Sequence, residues 1–108
     1  MNKSIFLLAD VPEENKFYLN NGKVLRNMRE LALEFHEMNN DTFSHHVTAD
    51  RNDFSSWIKH TIKDDALASS ISSIKDKGRM HAAIKRRVGE LEKAYQGKEA
   101  CVTRKRKH

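Results

Sequence analysis

The sequence predicts a single, mostly α domain of four to five helices, with a short N-terminal β-hairpin and a disordered basic C-terminal tail. Three observations carry that expectation. Four segments place apolar residues at the three- and four-residue intervals of one helix face. An Asn21-Gly22 pair lies between two short β-prone stretches. The chain has 108 residues, room for one core, since single domains run to about 100 to 150 residues.

Along the chain, Ile5-Phe6-Leu7-Leu8 is an apolar run ended by Asp10 and Pro12, read as a short strand. Lys16 to Leu19 and Lys23 to Leu25 flank Asn20-Asn21-Gly22, and the Asn-Gly pair suits a type I′ hairpin turn. Asn27 followed by Glu30 is a capping-box arrangement. It opens a helix with Met28, Leu31, Ala32, Phe35 and Met38 on one face, ending at Asn39-Asn40. Asp41 is placed to cap a short helical turn carrying Phe43 and Val47. Asn52 or Asp53 caps the next helix, whose inward residues are Phe54, Trp57, Ile58 and Ile62. Asp64 begins a further helix with Leu67, Ala68, Ile71 and Ile74. The longest helix spans 75–97, with Met80, Ile84, Val88, Leu91 and Tyr95 as its stripe and Gly97 as its C-cap. The expected organisation is therefore a helical core with its hairpin over 1–74, a basic amphipathic helix over 75–97, and a tail over 98–108. The core should include Phe17, Leu25, Leu31, Phe35, Phe43, Phe54, Trp57, Ile58, Leu67 and Ile71.

Charge is distributed unevenly. The whole chain carries +5, but residues 1–74 hold 8 basic and 11 acidic side chains, a net of −3. Residues 75–97 and 98–108 carry +4 each. Clustered positive charge points to a polyanionic partner, because it attracts phosphates more than scattered charge does. The competing reading is a solvated, solubilising end. One cysteine excludes an internal disulfide framework and suits a reducing, cytoplasmic setting. The longest apolar run is far too short to span a bilayer, so no membrane association is expected.

Residues Phe17-x-Leu19-x-x-Gly22, Glu30-Leu31, Met38, Phe43, His46-Val47, Asn52-Asp53-Phe54-x-x-Trp57-Ile58 and Asp65-x-Leu67-Ala68 carry a resemblance to a known family. Over Phe17 to about Ile71 the chain resembles a small prokaryotic family, mainly archaeal, catalogued as a domain of unknown function. The resemblance implies a compact helical module and brings no activity with it. The basic residues after Lys75 lie outside it.

Enzymatic chemistry finds little support, and no cofactor is expected. His36, His45, His46 and His60 fall within 25 residues, yet none shows the recurrent spacing of a zinc site. His46 is better read as an inward ring bonded to the Asn52-Asp53 turn, in a structural motif with Phe54, Trp57 and Ile58. Cys101 lies beside the basic tail without a positioned base, and Gly-x-Ser-x-Gly is absent. Asp50, Asp53, Asp64 and Asp65 sit where helices want caps.

The basic residues are the best candidate site: Lys75, Lys77, Arg79, Lys85, Arg86, Arg87 and Lys93 on the last helix, then Lys98, Arg104, Lys105, Arg106 and Lys107. Such clusters neutralise phosphates and release counterions, with little sequence information. The expected function is a non-enzymatic binding module for the DNA or RNA backbone or a ribonucleoprotein. The alternative is a protein-interaction adaptor pairing Met80, Ile84, Val88 and Leu91 with a partner helix or a second copy. A small metalloenzyme is the third reading.

Overall fold

Asparagine and aspartate side chains decide where the helices begin. The computed structural model describes residues 7–107, with side chains through Ala94. It contains a 3-10 turn at Glu13–Asn15, strands β1 (Phe17–Tyr18) and β2 (Val24–Leu25), and helices α1 (Met28–Glu37), α2 (Asn40–His46) and α3 (Asp53–Trp57). A π-helical turn at Ile58–Ile62, then α4 (Asp65–Ile71) and α5 (Lys77–Lys107), complete it. Asn27, Asn39, Asn52, Asp64 and Asp76 each accept the backbone N–H three residues ahead, at the starts of α1 to α5 in that order. Each contact satisfies a donor that the first helical turn otherwise leaves bare. The fold class is the expected one, mostly helical with an antiparallel two-stranded hairpin.

Several elements differ locally from expectation. Leu7 and Leu8 are helical, not extended, and both are buried. Asn39, not Asp41, caps α2. Its extended backbone aims the side chain at the Thr42 N–H, 2.8 Å away, leaving Asp41 in the first turn where a carboxylate favours the helix dipole. At the start of α1 the reciprocal arm of the capping box reaches one residue further back. Glu30 accepts the Arg26 N–H at 2.7 Å, and the Arg26 guanidinium holds the Glu30 carboxyl below its usual range.

The hairpin pairs Phe17 with Leu25 and Tyr18 with Val24. Its turn is not type I′, since only Gly22, at φ 94°, enters the left-handed region. Leu19 N–H donates to Lys23 O at 2.9 Å and Gly22 N–H to Leu19 O at 3.0 Å, giving a three-residue loop that needs one such residue. Asn21 accepts the Lys23 N–H through its side chain at 3.0 Å, an Asx-type contact that replaces a second left-handed residue.

Past Trp57 the helix widens into the π turn, which ends when Lys63 takes φ 74°. Lys63 and Asp64 both donate to Ile58 O, at 2.7 and 3.1 Å. The widening leaves Ile58 and Ile62 buried, so the inward stripe expected for this stretch is kept.

Phe54 is fully buried and joins the elements. Phe17 stacks on it at 5.1 Å, Phe35 meets it edge-on at 5.0 Å, and Phe43 lies 6.3 Å away. Trp57 abuts Phe17 at 5.5 Å and donates from Nε1 to Asn15 O at 2.8 Å, tying the 3-10 turn to the core. All ten residues expected in the core are buried, joined by Met80, Ile84, Val88 and Leu91 of α5.

That last group corrects the adaptor seam. Met80 and Ile84 are completely buried in this chain's own core, with Val88 and Leu91 nearly so, and that face is therefore not open to a partner helix. Tyr95 lies outside the described side chains. Gly97 takes an interior helical position, not a C-cap, because one glycine costs a helix only about 1 kcal/mol. No helix among the described residues is long and apolar enough to cross a membrane.

Replacing Phe54 with Ala should cost about 3 to 5 kcal/mol, the range for a fully buried aromatic. Urea denaturation will show a lowered midpoint; a loss under about 1 kcal/mol would contradict its central place in the core.

Candidate nucleic-acid interface

α5 runs antiparallel to α1. Lys77 Nζ donates to Met38 O at 2.8 Å at one end, and Arg29 Nε donates to Glu92 at 2.6 Å at the other. Between them the His81 ring lies 6.0 Å from Phe35. With Met80, Ile84, Val88 and Leu91 buried, the rotation of α5 is set, and at about 3.6 residues per turn that sorts its cations into inward and outward sets.

Three of the basic residues turn toward the domain. Lys75 Nζ donates to Thr48 O at 2.9 Å, and Lys77 Nζ to Met38 O, a neutral acceptor that leaves the charge of the ammonium uncompensated. Arg87 clasps Asp64 with two bonds, Nε to Oδ2 at 2.7 Å and Nη2 to Oδ1 at 3.2 Å. Asp64 is almost wholly buried, so its carboxylate needs this partner. The hydrogen bond to Asp64 raises the Arg87 pKa further above its ordinary value, and the guanidinium stays charged throughout.

Four cations turn outward. Arg79, Lys85, Arg86 and Lys93 are exposed, and none has an ion-pair partner among the described residues. Arg79, Arg86 and Lys93 stand seven residues apart, which puts them on one face at intervals of about 10 Å. Ala82 and Gly89 beside them are also exposed, and Glu90, exposed between Arg86 and Lys93, lies on the same face with its carboxylate 3.7 Å from Arg87. Lys98, Arg104, Lys105, Arg106 and Lys107 belong to the α5 backbone, but their side chains lie outside the described residues, as does that of Cys101.

The Asn52-Asp53-Phe54-x-x-Trp57-Ile58 motif sits elsewhere and is committed to the scaffold. His46 is buried and uses both ring nitrogens. Nδ1 lies 2.9 Å from Asp53 Oδ2, and Nε2 accepts the Asn20 N–H at 3.1 Å. Since Nε2 accepts, the ring proton is on Nδ1 and points at the carboxylate. His46 thereby links the hairpin loop to the start of α3. Asn52 accepts the Ser55 N–H with Oδ1 and donates from Nδ2 to Ile71 O at 3.0 Å, joining α3 to α4. Phe54, Trp57 and Ile58 fill the core beneath.

Among the described residues no three His, Cys, Asp or Glu side chains gather as a metal site would require. The His45 and His46 rings meet edge-on at 4.8 Å, but His46 has no free lone pair to offer an ion.

One cluster escapes sequence reasoning. His36, exposed in the last turn of α1, has its ring 6.4 Å from that of His81 of α5. Lys77 and Lys85 flank His81 by one helical turn on either side, and the spacing of 77, 81 and 85 is the only signal the sequence offers. Burial lowers the His81 pKa, and the positive charges of Lys85, His36 and Lys77 lower it further.

Two predictions follow from these contacts. Asp64→Ala removes both the Arg87 partner and the cap on Leu67, and should cost about 3 kcal/mol in a chemical denaturation midpoint; an unchanged midpoint would contradict the ion pair. His81 protonates less readily in the folded chain than in the unfolded one, whose value is about 6.5. Its contribution to stability is therefore present above that pH and is lost as pH falls through the lower folded value. Thermal unfolding from neutral to mildly acidic pH should show the loss, and His81→Gln should remove part of it. No family model, curated protein or solved structure matches the chain, which leaves the charge geometry of α5 as the ground for a functional reading.

Proposed function

We propose that this chain is a non-enzymatic binding module for the phosphodiester backbone of nucleic acid, free or within a ribonucleoprotein. It engages the backbone through the outer face of α5 and the basic residues 98–107. The observation that carries this reading is a division of labour at the start of α5 and along it: Lys75, Lys77 and Arg87 bond back onto the domain, while Arg79, Lys85, Arg86 and Lys93 are presented outward without ion-pair partners among the described residues. A purely solubilising surface intersperses both signs. Here residues 1–74 carry −3 and the last 34 carry +8.

The mechanism is electrostatic. Each phosphate neutralised by a Lys or Arg releases condensed counterions, so affinity falls steeply with salt. No described aromatic lies on the outer face of α5 to stack on bases, so the contact reads backbone and carries little sequence preference.

Full-length protein titrated against short DNA and RNA probes should bind with a steep salt dependence. The triple variant Arg79→Gln, Arg86→Gln, Lys93→Gln should weaken binding uniformly across sequences and flatten the logarithmic salt slope by about 2 to 3. Deleting residues 98–108 should flatten it further. Absent or salt-insensitive binding by the intact chain would overturn the proposal.

A further inference from the structure

We infer that His36 and His81, together with Lys77 and Lys85, form a second phosphate contact on the α1-facing flank of α5, one that engages the backbone more tightly as pH falls. This rests on the proposed polyanion reading and adds to it both new residues and a regulating variable.

The geometry comes from two helices. Lys77, His81 and Lys85 stand at four-residue intervals and form one stripe along α5. His36 reaches the same place from the last turn of α1, its ring 6.4 Å from that of His81. His36 and Lys85 are exposed, and His81 is half-buried against Phe35, so its ring is oriented without being sealed off. Lys77 is held at this site by its bond to Met38 O.

The charges acting on His81 from both helices are Lys85, His36 and Lys77, all of one sign. No carboxylate offsets them among those influences. Such a site is short of negative charge. In the free protein a proton on His81 is held off first by burial of the ring and then by the positive cluster around it, and both lower its pKa. A phosphodiester oxygen laid across the stripe reverses that repulsion, and the imidazolium then becomes a charge-assisted donor. Binding therefore takes up protons, and by linkage acidification strengthens binding.

The outward cations Arg79, Arg86 and Lys93 are charged at any physiological pH, so the two contacts separate by titration. At fixed ionic strength, affinity for a short mixed-sequence duplex DNA should rise a few-fold from about pH 8 to about pH 6, approaching the roughly tenfold of a one-unit binding-linked shift only below the pKa of His81 in the free protein. The salt slope should steepen by about one for each histidine recruited. The double variant His36→Gln, His81→Gln should lose this gain. His36→Gln alone, at an exposed position, should lose part of it and guards against a folding defect at His81. Proton NMR of the ring resonances should show His81 titrating at higher pH with the probe present. Binding by the wild type that does not change with pH, or an equal gain in the double variant, would overturn this inference while leaving the outer face of α5 in place. Binding at neither pH would overturn the proposed function itself.

Discussion

Burial of the apolar stripe of α5 is the constraint on which the surface chemistry depends. Met80, Ile84, Val88 and Leu91 close the core left open by α1 and α4, and once they are inside, every other residue of the helix has its direction assigned. The Asp64–Arg87 pair and the Lys77–Met38 contact hold that assignment against rotation. A buried charge pair of this kind adds little net stability, but its loss strands a carboxylate away from water, so it acts chiefly to exclude other registers of the helix. The outward set of cations is a consequence of this packing, not an independent feature.

The acidic part of the molecule serves the basic part as a scaffold. Phe54 gathers the hairpin, α1 and α2 around one ring, while His46 and Asn52 stitch the loops over it. Both nitrogens of His46 and both side-chain groups of Asn52, in the motif that is most distinctive in the sequence, are engaged in holding the fold. Its distinctiveness has a structural explanation. Arg79, Lys85, Arg86 and Lys93, exposed without ion-pair partners among the described residues, lie on α5 instead.

Much of this was legible from local pattern. Helical periodicity located the five helices and the core list, and the caps Asn27, Asn52 and Asp64 could be read from residue type and position. The bond from His46 to the Asp53 turn was also anticipated from the short spacing between them. What failed involved competition between neighbours or contacts distant in sequence. Asn39 and Asp41 are both good caps, and only the chain direction leaving α1 chooses between them. Gly22 needed one left-handed residue where the Asn-Gly pair suggested two. The π turn at Ile58–Ile62 has no residue signature, because it is imposed by the need to bury both isoleucines while turning into α4. Within the run Lys85-Arg86-Arg87, nothing local distinguishes Arg87; Asp64, 23 positions away, does so. The His36–His81 approach spans two helices and is equally silent in one dimension.

The central proposal is that polyanion contact centres on the outer face of α5. Backbone amide NMR of the full-length protein, titrated with short duplex DNA at low salt, tests it most directly. The account predicts the largest shift changes at Arg79, Ala82, Arg86, Gly89 and Lys93 and in the basic residues beyond, with Asn52, Phe54 and Trp57 unmoved. Changes centred on the hairpin or on α3, with the outer face of α5 undisturbed, would contradict it.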